Sequence, residues 1–259
     1  MQDACEFLPW GRSPTCRIRV FPGTSATCRT KKSHLRTVHC RRDDARSLRR
    51  RAAAVDGRRE ERLHNHFEYC ERLAKLSPFV NLAELGVTTE KRKLPLVLLA
   101  DPPLVTPEEA AKRGKLVVLI MANIHAGEVD GKEALMMLMR DLALARDPLL
   151  KDLVLLCVPN FNADGGDRLA KNRGWQNGPE EVGIRPNAQG FDLNRDYIKL
   201  ETPEVQALVR TLTRWNPAIL IDLHTTNRSY HHHTITYDSP RHAAMNARLI
   251  ELGRDEMLP

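Results

Sequence analysis

Apolar residues in EERLHNHFEYCERLAKLSP return at helical spacing, at Leu63, Phe67, Cys70, Leu73 and Leu76, and Pro78 stops the run. NLAELGVTTEKRKLPLVLLA changes the period: two apolar runs flank the charged turn TTEKRK, as in a pair of hairpin strands. DPPLVTPEEAAKRG reads as a loop, and KLVVLIMANIH after it is almost continuously apolar, the pattern of a strand covered on both faces. GKEALMMLMRDLALA returns to helical spacing, and DLVLLCVPN is a second buried strand. TPEVQALVRTLTRWNP predicts another helix, with Thr202 as its cap, Pro203 in its first turn and Pro217 ending it. AILIDLH is a third buried strand.

Between these elements, residues 161–200 form a long Gly- and Asn-rich stretch with little periodicity. It exceeds an ordinary connection and is a candidate binding loop. Strand–helix–strand order with buried strands predicts an α/β fold, a three-layer sandwich around a mostly parallel mixed sheet. Sites in that class gather at the carboxyl ends of the strands.

The length of 259 residues suits one large α/β domain or two smaller ones. No apolar stretch approaches the roughly 18–20 residues that cross a bilayer. The net charge of +7 is unevenly placed: residues 12–59 carry 15 Arg or Lys against three Asp, net +12, while residues 60–259 come to −3. The chain therefore divides into a basic leader over 1–57, read as disordered, and a body over 58–259. An organelle signal or nucleic-acid binding by the leader is set below disorder, and its first residues show no convincing signal peptide. In the leader, Cys16, Cys28, His34 and His39 only loosely resemble a zinc finger, because the two cysteines lie 12 apart. Six cysteines in a chain of this size do not imply a disulfide framework.

The candidate chemistry sits where strands end. The first buried strand runs into His125, with Glu128 just after it, and the third ends at His224. Two imidazoles and a carboxylate suit zinc and leave a fourth position open. HxxE alone is a common pattern, and on its own a polar loop with a capping glutamate accounts for it better. His224 at a neighbouring strand end, and Asn194–Arg195 in NAQGFDLNRDY, shift the balance, since a guanidinium grips a carboxylate bidentately.

HAGE, DLNRD and DLH, in that order, resemble the zinc carboxypeptidases related to pancreatic carboxypeptidase A, and their bacterial relatives in particular, over roughly residues 58–259. The resemblance implies a carboxypeptidase-like fold in which His125, Glu128 and His224 bind Zn2+. It implies that Asn194 and Arg195 hold the free C-terminal carboxylate of a peptide or peptide-like substrate, and that Asp192 supports the first histidine. An arginine stabilising the oxyanion is also implied. Arg168, Arg173 and Arg185 are the candidates, with Arg173 taken first. Asp222 is left outside the site. His231–His233 alternate faces if extended and do not readily share one ion.

The implied reaction is hydrolysis of a C-terminal peptide bond by metal-activated water. The family's general-base glutamate falls on a late strand, beyond the third metal ligand. Only 35 residues follow His224, and neither Glu251 nor Glu256 has that context. Tyr230 and Tyr237 are too near His224 for the family's closing tyrosine. The expectation is an incomplete domain, short of the base and of the last sheet strands, with exposed edges. Competing readings are a zinc amidohydrolase acting on acylated amino acids or cell-wall peptides, and an inactive truncated fragment. A cytoplasmic location is the default, although relatives of this kind are often secreted.

Overall fold

The computed structural model describes residues 66–171, 180–225, 235–237 and 246–257. The basic leader, with Cys5, Cys16, Cys28 and Cys40, lies outside the described residues.

Helix α1 (His66–Leu76) buries Tyr69, Cys70 and Leu73, of which Cys70 and Leu73 belong to the expected apolar face. Strands β1 (Val80–Val87) and β2 (Lys93–Leu99) pair antiparallel as the predicted hairpin. The segment read as a loop contains a short helix, α2 (Pro107–Lys112), opened by a capping box between Thr106 and Glu109. T-P-E-E carries that signal, and brevity hides it from a periodicity reading. Strand β3 (Leu116–Ala122), helix α3 (Val129–Ala145), the single turn α4 (Leu149–Asp152) and strand β4 (Leu153–Val158) follow. The expected long connection holds α5 (Ala163–Asp167), the ribbon of β5 (Leu169–Lys171) and β6 (Glu181–Gly183), and a 3-10 turn at Leu193–Arg195. Helix α6 (Pro203–Trp215) is capped by the Thr202 hydroxyl and leads to β7 (Ile219–Leu223). A last short helix, α7 (Ala247–Glu251), passes into a π-helical turn.

The main sheet has the order β1-β2-β4-β3-β7. Strand β3 runs parallel to both β4 and β7, whereas β2 is antiparallel to β4 and to β1. With the β5–β6 ribbon counted, antiparallel pairings outnumber parallel ones, which corrects the expectation of a mostly parallel sheet. The reason is visible in β2: every residue after Lys93 is buried, so its sequence reports cover on both faces and says nothing about direction.

Alternation along the strands splits the core in two. Leu96, Leu98, Leu119, Met121, Leu156 and Val158 face α6, while Val97, Leu99, Val118, Ile120, Leu155 and Cys157 face α1 and α3. The three layers are as expected. Tyr69 and Ser77 also donate hydrogen bonds to the carbonyls of Met136 and Ala143, which fixes α1 along α3. Strand β7 departs from the buried character expected of it. Ile219, Leu220 and Ile221 are 36–44% exposed, because among the described strands only β3 flanks it.

Asp164, fully buried, ties α5 to the hairpin turn. Its carboxylate accepts from the Thr88 hydroxyl at 2.6 Å, the Glu90 amide at 3.0 Å and the Arg92 guanidinium at 2.7 Å. Asp164→Ala leaves these donors without their acceptor and is expected to cost about 3 kcal/mol of stability. Urea unfolding with an unchanged slope and a lowered midpoint checks this.

Candidate metal centre

The site begins with a change of backbone direction at the end of β3. Asn123 takes a left-handed φ of 63°, a conformation asparagine tolerates better than most residues. The chain then buries Ile124 and turns through His125–Glu128, closed by the Glu128 amide donating to the His125 carbonyl at 2.9 Å. Glu128 occupies the N-cap of α3, but its side chain makes no capping bond. That removes the reading of Glu128 as a capping residue. Its carboxylate points to the histidines instead.

Parallel pairing delivers the remote partner. Ala122 of β3 lies opposite Leu223 of β7, so the residues leaving the two strands emerge side by side at their carboxyl ends. His125 Nδ1 sits 2.9 Å from Glu128 Oε1, and His224 Nδ1 sits 2.8 Å from Oε2. The Thr225 amide also donates to Oε2. The ring centroids of His125 and His224 are 4.9 Å apart, and one ligand atom from each of His125, Glu128 and His224 falls within 4.8 Å of the others.

The far nitrogen of each ring has its own carboxylate. His125 Nε2 lies 3.2 Å from Asp192 Oδ1, and His224 Nε2 lies 3.0 Å from Asp222 Oδ2. With a metal bound, an N–H donated at Nε2 would leave Nδ1 as the lone-pair donor, the arrangement that fixes the tautomer of a metal-binding histidine; without one, an Nδ1–H can instead donate to Glu128. Two inward Nδ1 atoms and one carboxylate therefore fit zinc in donor type, number and spacing. Asp222, left out on sequence, belongs beside this cluster. The signal available was D-x-H at a strand end, since residues two apart in a strand share a face.

Electrostatics follow from the same contacts. Burial by itself raises the Glu128 carboxyl, yet hydrogen bonds from His125, His224 and the Thr225 amide outweigh it and hold the group down to about 2. Asp222 first, then Glu128, push His224 up to about 10 against the effect of burial. For Asp192, burial is again outweighed, chiefly by Arg185, and the carboxyl is held below its ordinary value.

Of the three candidate arginines, Arg173 lies outside the described residues, as do His231–His233 and Tyr230. Arg168 pairs with Glu90 near the hairpin turn. Of the two described candidates, Arg185 is beside the cluster: Nε donates to Asp192 Oδ2 at 3.0 Å, and Nη1 stands 3.7 Å from Glu128 Oε1. The 3-10 turn brings Asn194 and Arg195 out from the same aspartate. Asp192 accepts from the Asn194 amide, fully buried Leu193 anchors the turn in the core, and Arg195 is exposed. Tyr237 is half exposed. Glu251 is ion-paired with Arg248 at 3.5 Å.

The profile of the zinc carboxypeptidases matches residues 67–249. The chain belongs to the zinc carboxypeptidase family. Carboxypeptidase 2 of Trichophyton rubrum is 25% identical over 168 residues, which cover 62% of this chain and 28% of the relative. Carboxypeptidase D of Homo sapiens is 29% identical over 139 residues, covering 51% of this chain and 9% of the relative. The chain thus spans less than a third of the length of these curated relatives. Among solved structures, bovine thrombin-activatable fibrinolysis inhibitor, in complex with tick carboxypeptidase inhibitor, shares the fold. It is 19% identical, with a TM-score of 0.50, over 65% of this chain and 61% of that one.

Zinc is expected to raise the melting temperature of the chain, with a stabilisation of about 2.7 kcal/mol at a free zinc concentration 100 times Kd. The triple variant His125→Ala, Glu128→Ala, His224→Ala loses this response. Asp192→Ala and Asp222→Ala each weaken zinc binding about 10–100-fold, read by competition with a chromophoric chelator.

The pH dependence of the chelator-treated chain has two limbs. A raised His224 contributes stability that is complete below its ordinary value of 6.5 and is lost as pH climbs through about 10. A depressed Glu128 contributes stability present above its ordinary value of 4.5 and lost as pH falls towards about 2. Urea midpoints measured with chelator present are expected to fall on both sides of that window, and His224→Gln flattens the alkaline limb.

Proposed function

We propose that this chain carries the metal and substrate-recognition machinery of a zinc-dependent metallocarboxypeptidase, acting on the C-terminal peptide bond of a peptide or peptide-like substrate. Family membership and the cluster of His125, Glu128 and His224 support the metallopeptidase class. The observation that carries the finer reading is the position of Asp192. One carboxylate accepts from His125, from Arg185 and from the amide that begins the Asn194–Arg195 turn. Metal ligand, arginine and carboxylate clamp are thereby held by a single group.

Bound zinc, held by His125, Glu128 and His224, supplies Lewis-acid polarisation of a carbonyl and of water. The roles assigned to this chain's own residues are substrate recognition, orientation and contact with the oxyanion. Arg195 and Asn194 bind the terminal carboxylate of the substrate, Arg195 by its guanidinium fork and Asn194 by its amide. Asp192 orients His125 and Arg185 together. Arg185 donates to the scissile carbonyl oxygen as negative charge develops there, a role that its place beside the cluster supports. Asp222 holds the His224 ring so that Nδ1 faces inward. No helix among the described residues is long and apolar enough to cross a membrane.

The test uses the zinc-loaded chain and a panel of peptides with free or amidated C-termini. Release of the terminal residue from free-acid peptides alone, abolished by chelator, is the expected result. Arg195→Ala is expected to raise KM about 100-fold, and Arg185→Ala to lower kcat by about 100–1,000-fold with little change in KM. Cleavage of amidated and free peptides alike defeats the carboxylate-recognition reading. Zinc-dependent binding of free-acid peptides without turnover retains that reading and removes hydrolysis by this chain.

A further inference from the structure

Gly131 is buried at the third position of α3, where helix propensity favours alanine. Its φ lies outside the left-handed region, so backbone freedom does not explain it. The explanation is space. A Cβ at this position would stand 2.6 Å from the Leu223 Cβ, 3.2 Å from the Leu223 carbonyl oxygen and 3.4 Å from its carbonyl carbon. Carbon atoms in contact pack at about 3.5–4.0 Å. The obstructing atoms are backbone and Cβ, which no rotamer change moves.

Both sides of this contact lead straight into the metal centre. Glu128 is the residue before α3, and Leu223 is the last residue of β7, between Asp222 and His224. The pairing of Leu223 with Ala122 holds the end of β7 against β3. Neither element can retreat without changing the spacing that places His224 Nδ1 at 2.8 Å and the Thr225 amide at 3.1 Å from Glu128 Oε2. We infer that Gly131 is a positioning residue for the metal centre. Its missing side chain lets α3 approach β7 closely enough for Glu128 and His224 to share one ion. The local unit is then HAGEVDG, in which Glu128 supplies a donor atom and Gly131 supplies the approach. This inference rests on the zinc reading of the cluster.

The test is a cycle of Gly131→Ala, Leu223→Gly and the double variant in the full chain. Zinc affinity is measured by chelator competition, and ligand geometry by the visible spectrum of the cobalt-loaded protein, with a stabilising osmolyte present. A purely structural glycine changes stability without moving the cobalt spectrum of the folded protein. The expected result for Gly131→Ala is zinc binding weakened at least about tenfold with an altered cobalt spectrum, the scale seen when support for a ligand is lost. Removing the Leu223 Cβ abolishes the 2.6 Å clash and leaves only the milder approaches to the Leu223 carbonyl, at 3.2 and 3.4 Å. The double variant is therefore expected to bind zinc like Leu223→Gly alone, with the same spectrum.

Folded Gly131→Ala with parental affinity and spectrum overturns the inference. So does a double variant as impaired as Gly131→Ala while Leu223→Gly binds normally. If Gly131→Ala stays unfolded, a double variant that folds and binds like Leu223→Gly supports the inference, and one that stays unfolded overturns it. Parental protein that binds no zinc defeats the metal reading, and this inference with it. The other negative results leave the metal reading standing.

Discussion

A carboxylate with 2% of its surface exposed, placed between two imidazoles, is the constraint around which this end of the fold is organised. Burying a carboxylate is costly unless its oxygens are satisfied. Glu128 meets that requirement only because His125 arrives through a local turn while His224 and the Thr225 amide arrive from a strand almost a hundred residues away. The turn at Asn123, the parallel pairing of β3 with β7 and the close approach of α3 to Leu223 all serve that meeting.

Asp192 extends the arrangement outward. Placing a histidine of the candidate metal cluster, an arginine and the Asn194–Arg195 turn on one aspartate makes them interdependent. Displacing the 3-10 turn at Leu193 would loosen the His125 tautomer, the Arg185 guanidinium and the exposed Arg195 together. The buried Leu193 side chain, locked in the core beneath α6, is what resists that displacement. Asn162 reinforces it from behind, donating its amide to the carbonyls of Ile124 and Arg185. The backbone on both sides of the cluster is thus held by the same side chain.

The sheet shows where patterning is informative and where it is silent. The period of apolar residues located α1, α3, α6 and the five strands of the main sheet, because each element's burial is written in its own residues. It did not reveal that β2 runs against β4. A strand buried on both faces has no sequence mark of direction, and direction is decided by the hairpin that adds it to the sheet. Nor does the apolar run of β7 show its exposure, since such a run looks the same at an edge as in the middle; the expectation of exposed edges came from the family resemblance. Helix α2 was hidden for another reason: six residues are too few to display a period.

HAGE, DLNRD and DLH named the family, the three residues of the candidate metal cluster and the aspartate beside it, because donor type and local spacing are properties of the chain itself. Asp222 and Arg185 were legible only as candidates. Their proximity to the cluster depends on which way a ring turns and on how the loop folds back, and only tertiary contacts show that. Gly131 shows the same division most clearly. In the sequence it is a weak helix residue of no stated purpose. Only the packing of α3 against Leu223 reveals it as a required space, because an excluded volume belongs to two segments at once and is written in neither.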